Sequence, residues 1–155
     1  MYQQQYLFNA NRQGHLVIYN QSSPLLDLSN YDGLRTLLIM NSSFSNIELH
    51  DLSQLDKVLI RDTSFSNIEI KDCRRLTALA FIRDSFSNAK IRRCSSLAQF
   101  FLIDSSCSNL IIRHCRSLDR IWSSNSIINN SDIYINRYQH RYQENYHAQF
   151  QQSPR

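Results

Sequence analysis

Apolar residues recur along this chain with a period of 21. Leu34, Leu55, Leu76, Leu97 and Leu118 form one series with no insertion. Phe44, Phe65, Phe86 and Cys107 form a second, and Ile47, Ile68, Ala89 and Leu110 a third. Leu49, Ile70, Ile91 and Ile112 make a fourth. A fifth holds Cys73, Cys94 and Cys115, with Tyr31 and Leu52 in the same register upstream. A fixed period of this length marks a repeat architecture, because one unit cannot bury its apolar face alone while stacked units bury a continuous core. Within each unit apolar and polar positions alternate. In "VLIRD" Val58 and Ile60 fall on one face, Leu59 and Arg61 on the other; in "NIEIK" Ile68 and Ile70 oppose Glu69 and Lys71. Period two predicts strands, two short ones per 21-residue coil, with neighbouring coils about 4.8 Å apart. The inward set of one coil is Leu55, Val58, Ile60, Phe65, Ile68, Ile70 and Cys73.

The unit also has a recognisable spelling. From Leu55 the key positions are Leu55, Val58, Ile60, Thr63 and Phe65, followed by Leu76, Leu79, Phe81, Asp84 and Phe86, then Leu97, Phe100, Leu102, Ser105 and Cys107. Leu34, Leu37, Ile39, Ser42 and Phe44 precede them, and a weaker set, Leu118, Ile121, Ser123, Ser126 and Ile128, follows. The order resembles the leucine-rich repeat, L-x-x-L-x-L-x-x-N-x-L. The resemblance implies a β-rich solenoid of about six coils over residues 13–136, with an N-terminal arm at 1–12 and a tail at 137–155. It departs from the family in two ways. The Asn position holds Ser42, Thr63, Asp84, Ser105 and Ser126, short polar groups still able to bond the neighbouring coil's turn; and the second half-coil is patterned as a strand rather than a helix. A right-handed parallel β-helix is the alternative, because "SNIEI" followed by a Cys-containing turn suits stacked asparagine, aromatic and aliphatic ladders.

Two columns on the first strand face outward. One runs Val17, Leu38, Leu59, Ala80, Phe101 and Trp122, the other Tyr19, Met40, Arg61, Ile82, Ile103 and Ser124. A solvent-facing sheet should be polar here, and a contiguous apolar surface marks one that something covers. A partner protein, a second copy, or the chain's own tail would serve. In that tail Tyr134, Tyr138, Tyr142, Tyr146 and Phe150 stand four apart, which lines one face of a helix with aromatic rings. Such a helix would cap the last coil, fold over the sheet or dock on a partner.

A second outward group is basic: Lys71, Arg74 and Arg75, then Lys90, Arg92 and Arg93, then Arg113 and Arg116. Phosphate contact or a solvated charged face would each account for it. A third column alternates as Asn41, Asp62, Arg83, Asp104 and Asn125, which predicts a ladder of ion pairs pinning the register.

Composition narrows the function. Only two glycines and two prolines occur, so Ser, Asn and Asp must make the turns; Ser66 and Asn67 are the candidates within "SFSNIEI". Two glycines cannot build a phosphate-cradling loop, and no nucleotide, zinc-protease or nucleophile-elbow motif is present. Cys73, Cys94 and Cys115 lack the C-x-x-C spacing of metal sites and suit packing as small hydrophobic groups. No metal or cofactor is expected. The formal net charge is +4, compatible with an acidic partner or a nucleic acid. No apolar run suits a membrane span, and the N-terminus lacks the stretch of a secretory signal, so an intracellular setting, cytoplasmic or organelle matrix, is the default. The expectation is a non-enzymatic interaction module, a small subunit or adaptor of a multi-subunit complex, binding through the apolar sheet face. The alternative is a phosphate-contacting component of a ribonucleoprotein, and self-association is a further outcome.

Overall fold

The computed structural model describes residues 13–134. Over that span the chain forms twelve strands and no helix. They are β1 (His15–Tyr19), β2 (Ser22–Asp27), β3 (Thr36–Met40), β4 (Ser43–His50), β5 (Lys57–Arg61), β6 (Ser64–Lys71), β7 (Ala78–Ile82), β8 (Ser85–Arg92), β9 (Gln99–Ile103), β10 (Ser106–Arg113), β11 (Arg120–Ser124) and β12 (Ile127–Ile133). The odd strands stack in chain order into one six-stranded parallel sheet, and the even strands into a second. One odd and one even strand make a coil, so the protein is a β-solenoid of six coils. Every strand pair is offset by one repeat: Val58 lies beside Leu37 and Leu79, and Ile70 beside Leu49 and Ile91.

The core runs between the sheets as stacked columns. Leu55, Ile60, Ile70, Leu76, Phe81, Ile91 and Phe100 are all fully buried. Phe65 and Phe86 stack at 4.7 Å with ring planes 9° apart, and Phe81 meets Phe86 at 4.8 Å and Phe100 at 5.8 Å. Each such side chain contributes about 1.5–3 kcal/mol by leaving water, and parallel in-register stacking places like residues against like.

Ser66 and Asn67 do not make a turn of the kind glycine would. They lie within β6, at a corner where the pleat breaks: Phe65 and Ile68 are both buried although three residues apart, and Ser45, Ser66 and Ser87 drop out of the residue pairing. The true turns sit on either side. Asn41, Asp62, Arg83, Asp104 and Asn125 take positive φ of 50–53° where an odd strand gives way to an even one. Asp51, Asp72, Arg93 and His114 take 55–59° where the even strand ends. Asn and Asp tolerate this left-handed region better than other non-glycine residues.

At the turns from the first sheet to the second, Asn41, Asp62, Arg83, Asp104 and Asn125 are each followed by a short polar side chain. Ser42, Thr63, Ser105 and Ser126 donate their hydroxyls to the carbonyl two residues back at 2.8–2.9 Å. The same oxygens accept amides from the preceding coil, Gln21 N–H to Ser42 at 3.0 Å and Asp84 N–H to Ser105 at 3.0 Å. At the other turn Cys94 and Cys115 do the first of these jobs, donating to the Arg92 and Arg113 carbonyls at 3.5 and 3.4 Å. Asn46, Asn67, Asn88, Asn109 and Asn130 form a third ladder, in which the last four amides each donate to the previous coil's side-chain oxygen at 2.8–3.2 Å.

Candidate functional site

The first sheet has its inward residues in the core, so alternation forces the others out. Val17, Leu38, Leu59, Ala80, Phe101 and Trp122 lie side by side in register across all six strands. Tyr19, Met40, Arg61, Ile82, Ile103 and Ser124 form the adjacent row. All nine apolar residues expected there, Val17, Tyr19, Leu38, Met40, Leu59, Ile82, Phe101, Ile103 and Trp122, therefore share one surface. At its two ends Val17, Tyr19 and Trp122 are more than half exposed, while the middle residues shield one another and are half-buried. The rim is polar except at Ala78: His15, Thr36, Lys57, Gln99 and Arg120 on one side, the left-handed turn residues on the other. Arg61 is the one charged group in the two apolar rows, and its Nε leans to Asp62 on the rim at 3.7 Å. An arginine so placed lays its aliphatic stem on the apolar surface and keeps its charge at the edge.

The second sheet presents a different outward face. Lys71, Arg92 and Arg113 stand in one row, and Lys90 in the next beside Glu69. Arg93 occupies a left-handed turn, and Arg74, Arg75 and Arg116 are exposed in the turns that follow. These cations are interleaved with acids. Arg92 donates to Glu69 at 2.6 Å, with His50 on the other oxygen of that carboxylate at 3.2 Å. Arg93 holds Asp72 through two bonds of 2.8 and 2.9 Å, and Arg113 holds Asp132. Burial opposes ionisation of Glu69, but the Arg92 hydrogen bond and the charges of His50, Arg92 and Lys71 outweigh it and keep the carboxyl below its ordinary range. The Arg93 guanidinium does the same for Asp72.

The Asp72–Arg93 pair was legible in the sequence, being one period apart. The diagonal pairs Glu69–Arg92 and Arg113–Asp132 were not, because their 23- and 19-residue spacings acquire meaning only once the strand tilt and side-chain reach are fixed. The alternating column forms a ladder of mixed kind. Arg83 pairs with Asp62, and Asn125 donates to Asp104 at 2.7 Å.

A groove of about 750 Å³ runs along the corner of the coils, floored by Phe44, Phe65 and Phe86 and walled by serines on either side of them. Sequence reading did not single it out, although Ser43, Ser64, Ser85 and Ser106, like Ser45, Ser66, Ser87 and Ser108, recur every 21 residues. Its only ionisable lining group is Cys107, whose thiol burial pushes up to about 12. The groove thus offers no acid–base pair. Among the described residues no group of three or more His, Cys, Asp or Glu could hold a metal ion, and no helix is long and apolar enough to cross a membrane. The expected tail contacts, Tyr138, Tyr142, Tyr146 and Phe150, lie outside the described residues, as do the arm at 1–12 and the end of the predicted solenoid at 135–136. No protein-family model matches this chain, and no curated protein or solved structure matches it.

Proposed function

We propose that the protein is a non-enzymatic interaction module, a leucine-rich-repeat-like adaptor or small subunit that docks a protein partner on the outward face of its first sheet. The observation that supports this is the contrast between the two faces of one solenoid. On the second sheet the outward side chains are charged and answer one another across coils. On the first they are apolar over six strands, yet Trp122 at one end and Val17 and Tyr19 at the other stay more than half exposed. Both sheets come from the same repeat, so the fold alone does not ask for the difference. Large aromatic and aliphatic groups inside a polar rim are the composition of a docking surface. The pairing of Arg92, Arg93 and Arg113 weakens the case for a phosphate-binding stripe, because these three of its eight cations already have a carboxylate.

The test compares the proteins captured by the wild-type chain with those captured by Phe101→Ser, by Trp122→Ala and by a control, Arg113→Ser on the other face. A partner lost by the first two and kept by the third is the expected result. Capture unchanged by both face substitutions overturns the reading, and capture that disappears with moderate salt assigns it to the charged face instead.

A further inference from the structure

The chain itself carries a segment that fits the exposed sheet. From β4 onward a six-residue turn leads from each strand of the second sheet to the next strand of the first, as residues 72–77 join β6 to β7. β12 ends at Ile133, and the Tyr134 amide still bonds the Ile112 carbonyl at 3.0 Å. Continued in the same register, residues 135–140 would return the chain to the first sheet at its Trp122 end, and a seventh strand would start at residue 141.

The sequence there does not spell another coil. The positions equivalent to buried Leu118 and to the inward Ser123 hold Gln139 and Glu144, and burying an unpaired amide and carboxylate is costly. What the segment has instead is the four-residue spacing of Tyr138, Tyr142, Tyr146 and Phe150. As a helix that stripe is about 18 Å long. The sheet face is about 24 Å along the solenoid, from its strand spacing. Tyrosine suits such a face, because the ring covers apolar surface while the hydroxyl stays at the wet edge.

We propose that residues 137–155 dock as a helix on the outward face of their own first sheet, over Phe101, Ile103 and Trp122, and that a partner must displace them. The inference rests on that sheet being the docking face, and it makes the tail a competitor for it.

Trp122 is the sole tryptophan of the chain and lies on the edge strand inside the predicted footprint. Its quenching by acrylamide in the full-length protein therefore reports the cover directly, with no partner added. The expected result is a shielded indole at every protein concentration. A variant with Tyr138, Tyr142, Tyr146 and Phe150 all changed to serine should be quenched several-fold more strongly, with an unchanged β-sheet circular dichroism spectrum. Asn145→Pro, which breaks the helix and keeps the aromatic rings, should give the same rise. An indole as accessible in the full chain as in free solution overturns the proposal. So does shielding that neither variant relieves, or shielding that fades on dilution, which would assign the cover to a second copy. Partner capture by Trp122→Ala is scored separately, so either reading can fail while the other stands.

Discussion

Arg83 grips Asp62 of the preceding coil with two hydrogen bonds, Nε to Oδ1 at 2.7 Å and Nη2 to Oδ2 at 2.9 Å, and both residues hold positive φ. Arginine is an unusual occupant of the left-handed region, and this pair shows what retains it there. The column can hold an amide, a carboxylate or a guanidinium, provided it bonds the same position one coil away. Arg93 and Asp72 repeat the arrangement at the opposite turn.

Replacement of Arg83 should therefore depend on backbone preference as much as on charge. Arg83→Asn keeps a residue suited to positive φ and can donate to Asp62 as Asn125 does to Asp104, so its melting temperature should stay near wild type. Arg83→Val loses the partner and places a β-branched side chain in the left-handed region, and should melt clearly lower. Thermal unfolding of the two variants checks the order; equal melting temperatures would show that the turn makes no conformational demand. The Arg83 hydrogen bond holds the Asp62 carboxyl below its ordinary range, so the pair's contribution is complete above that range and fades as pH falls through the lowered value.

Asp84 should act in the opposite sense. It occupies the column where other coils use Ser or Thr, is 3% exposed, and accepts the amides of Thr63 at 3.0 Å and Ile82 at 3.1 Å. Burial outweighs those two bonds and pushes its carboxyl up to about 8. The folded chain then binds a proton that the unfolded chain has released, so this residue's contribution to stability declines as pH rises from about 4 to about 8. Asp84→Ser, which copies Ser105, should remove that decline and stabilise the protein at pH 8 by a few kcal/mol. Asp84→Asn should remove the decline as well, since its amide does not ionise in this pH range. Urea unfolding at pH 5 and pH 8 measures both; a wild-type stability that does not fall between those pH values rules the mechanism out.

Asn88 sits mid-ladder, donating to Asn67 at 2.8 Å and accepting from Asn109 at 2.8 Å. Asn88→Ala breaks both bonds and should cost about 1–3 kcal/mol. Asn130→Ala, at the end of the ladder with one bond of 3.2 Å, should cost less. Chemical denaturation of the two variants gives the comparison, and equal losses would mean that the second bond at Asn88 contributes nothing.

The four cysteines should be inert in the native state. Cys73, Cys94, Cys107 and Cys115 are all buried and free. Hydrogen bonds to the Cys115 and Cys73 thiols, together with burial, push the Cys94 thiol well above its ordinary range. Reaction of the native protein with a thiol reagent should be slow at pH 8, and unfolding should release all four at once. Rapid labelling of any one in the folded chain would show that its turn opens locally.

The sequence by itself determined the solenoid. A 21-residue period with five columns in register fixes coil length, strand number and the inward set, because identical positions stacked about 4.8 Å apart leave only one way to bury Leu55, Phe65 and Ile70 together. It also placed the nine outward apolar residues, since alternation along a strand needs no tertiary information. Tertiary structure decided what period alone cannot encode. The backbone put the left-handed turns at Asp62 and Asp72 and made Ser66–Asn67 a corner within a strand. Side-chain reach across tilted neighbours joined Arg92 to Glu69 and Arg113 to Asp132, giving part of an apparently cationic stripe carboxylate partners within the fold. Depth of burial separated Asp84 from Asp62, two aspartates 22 positions apart whose carboxyls are shifted in opposite directions by the surroundings the fold gives them.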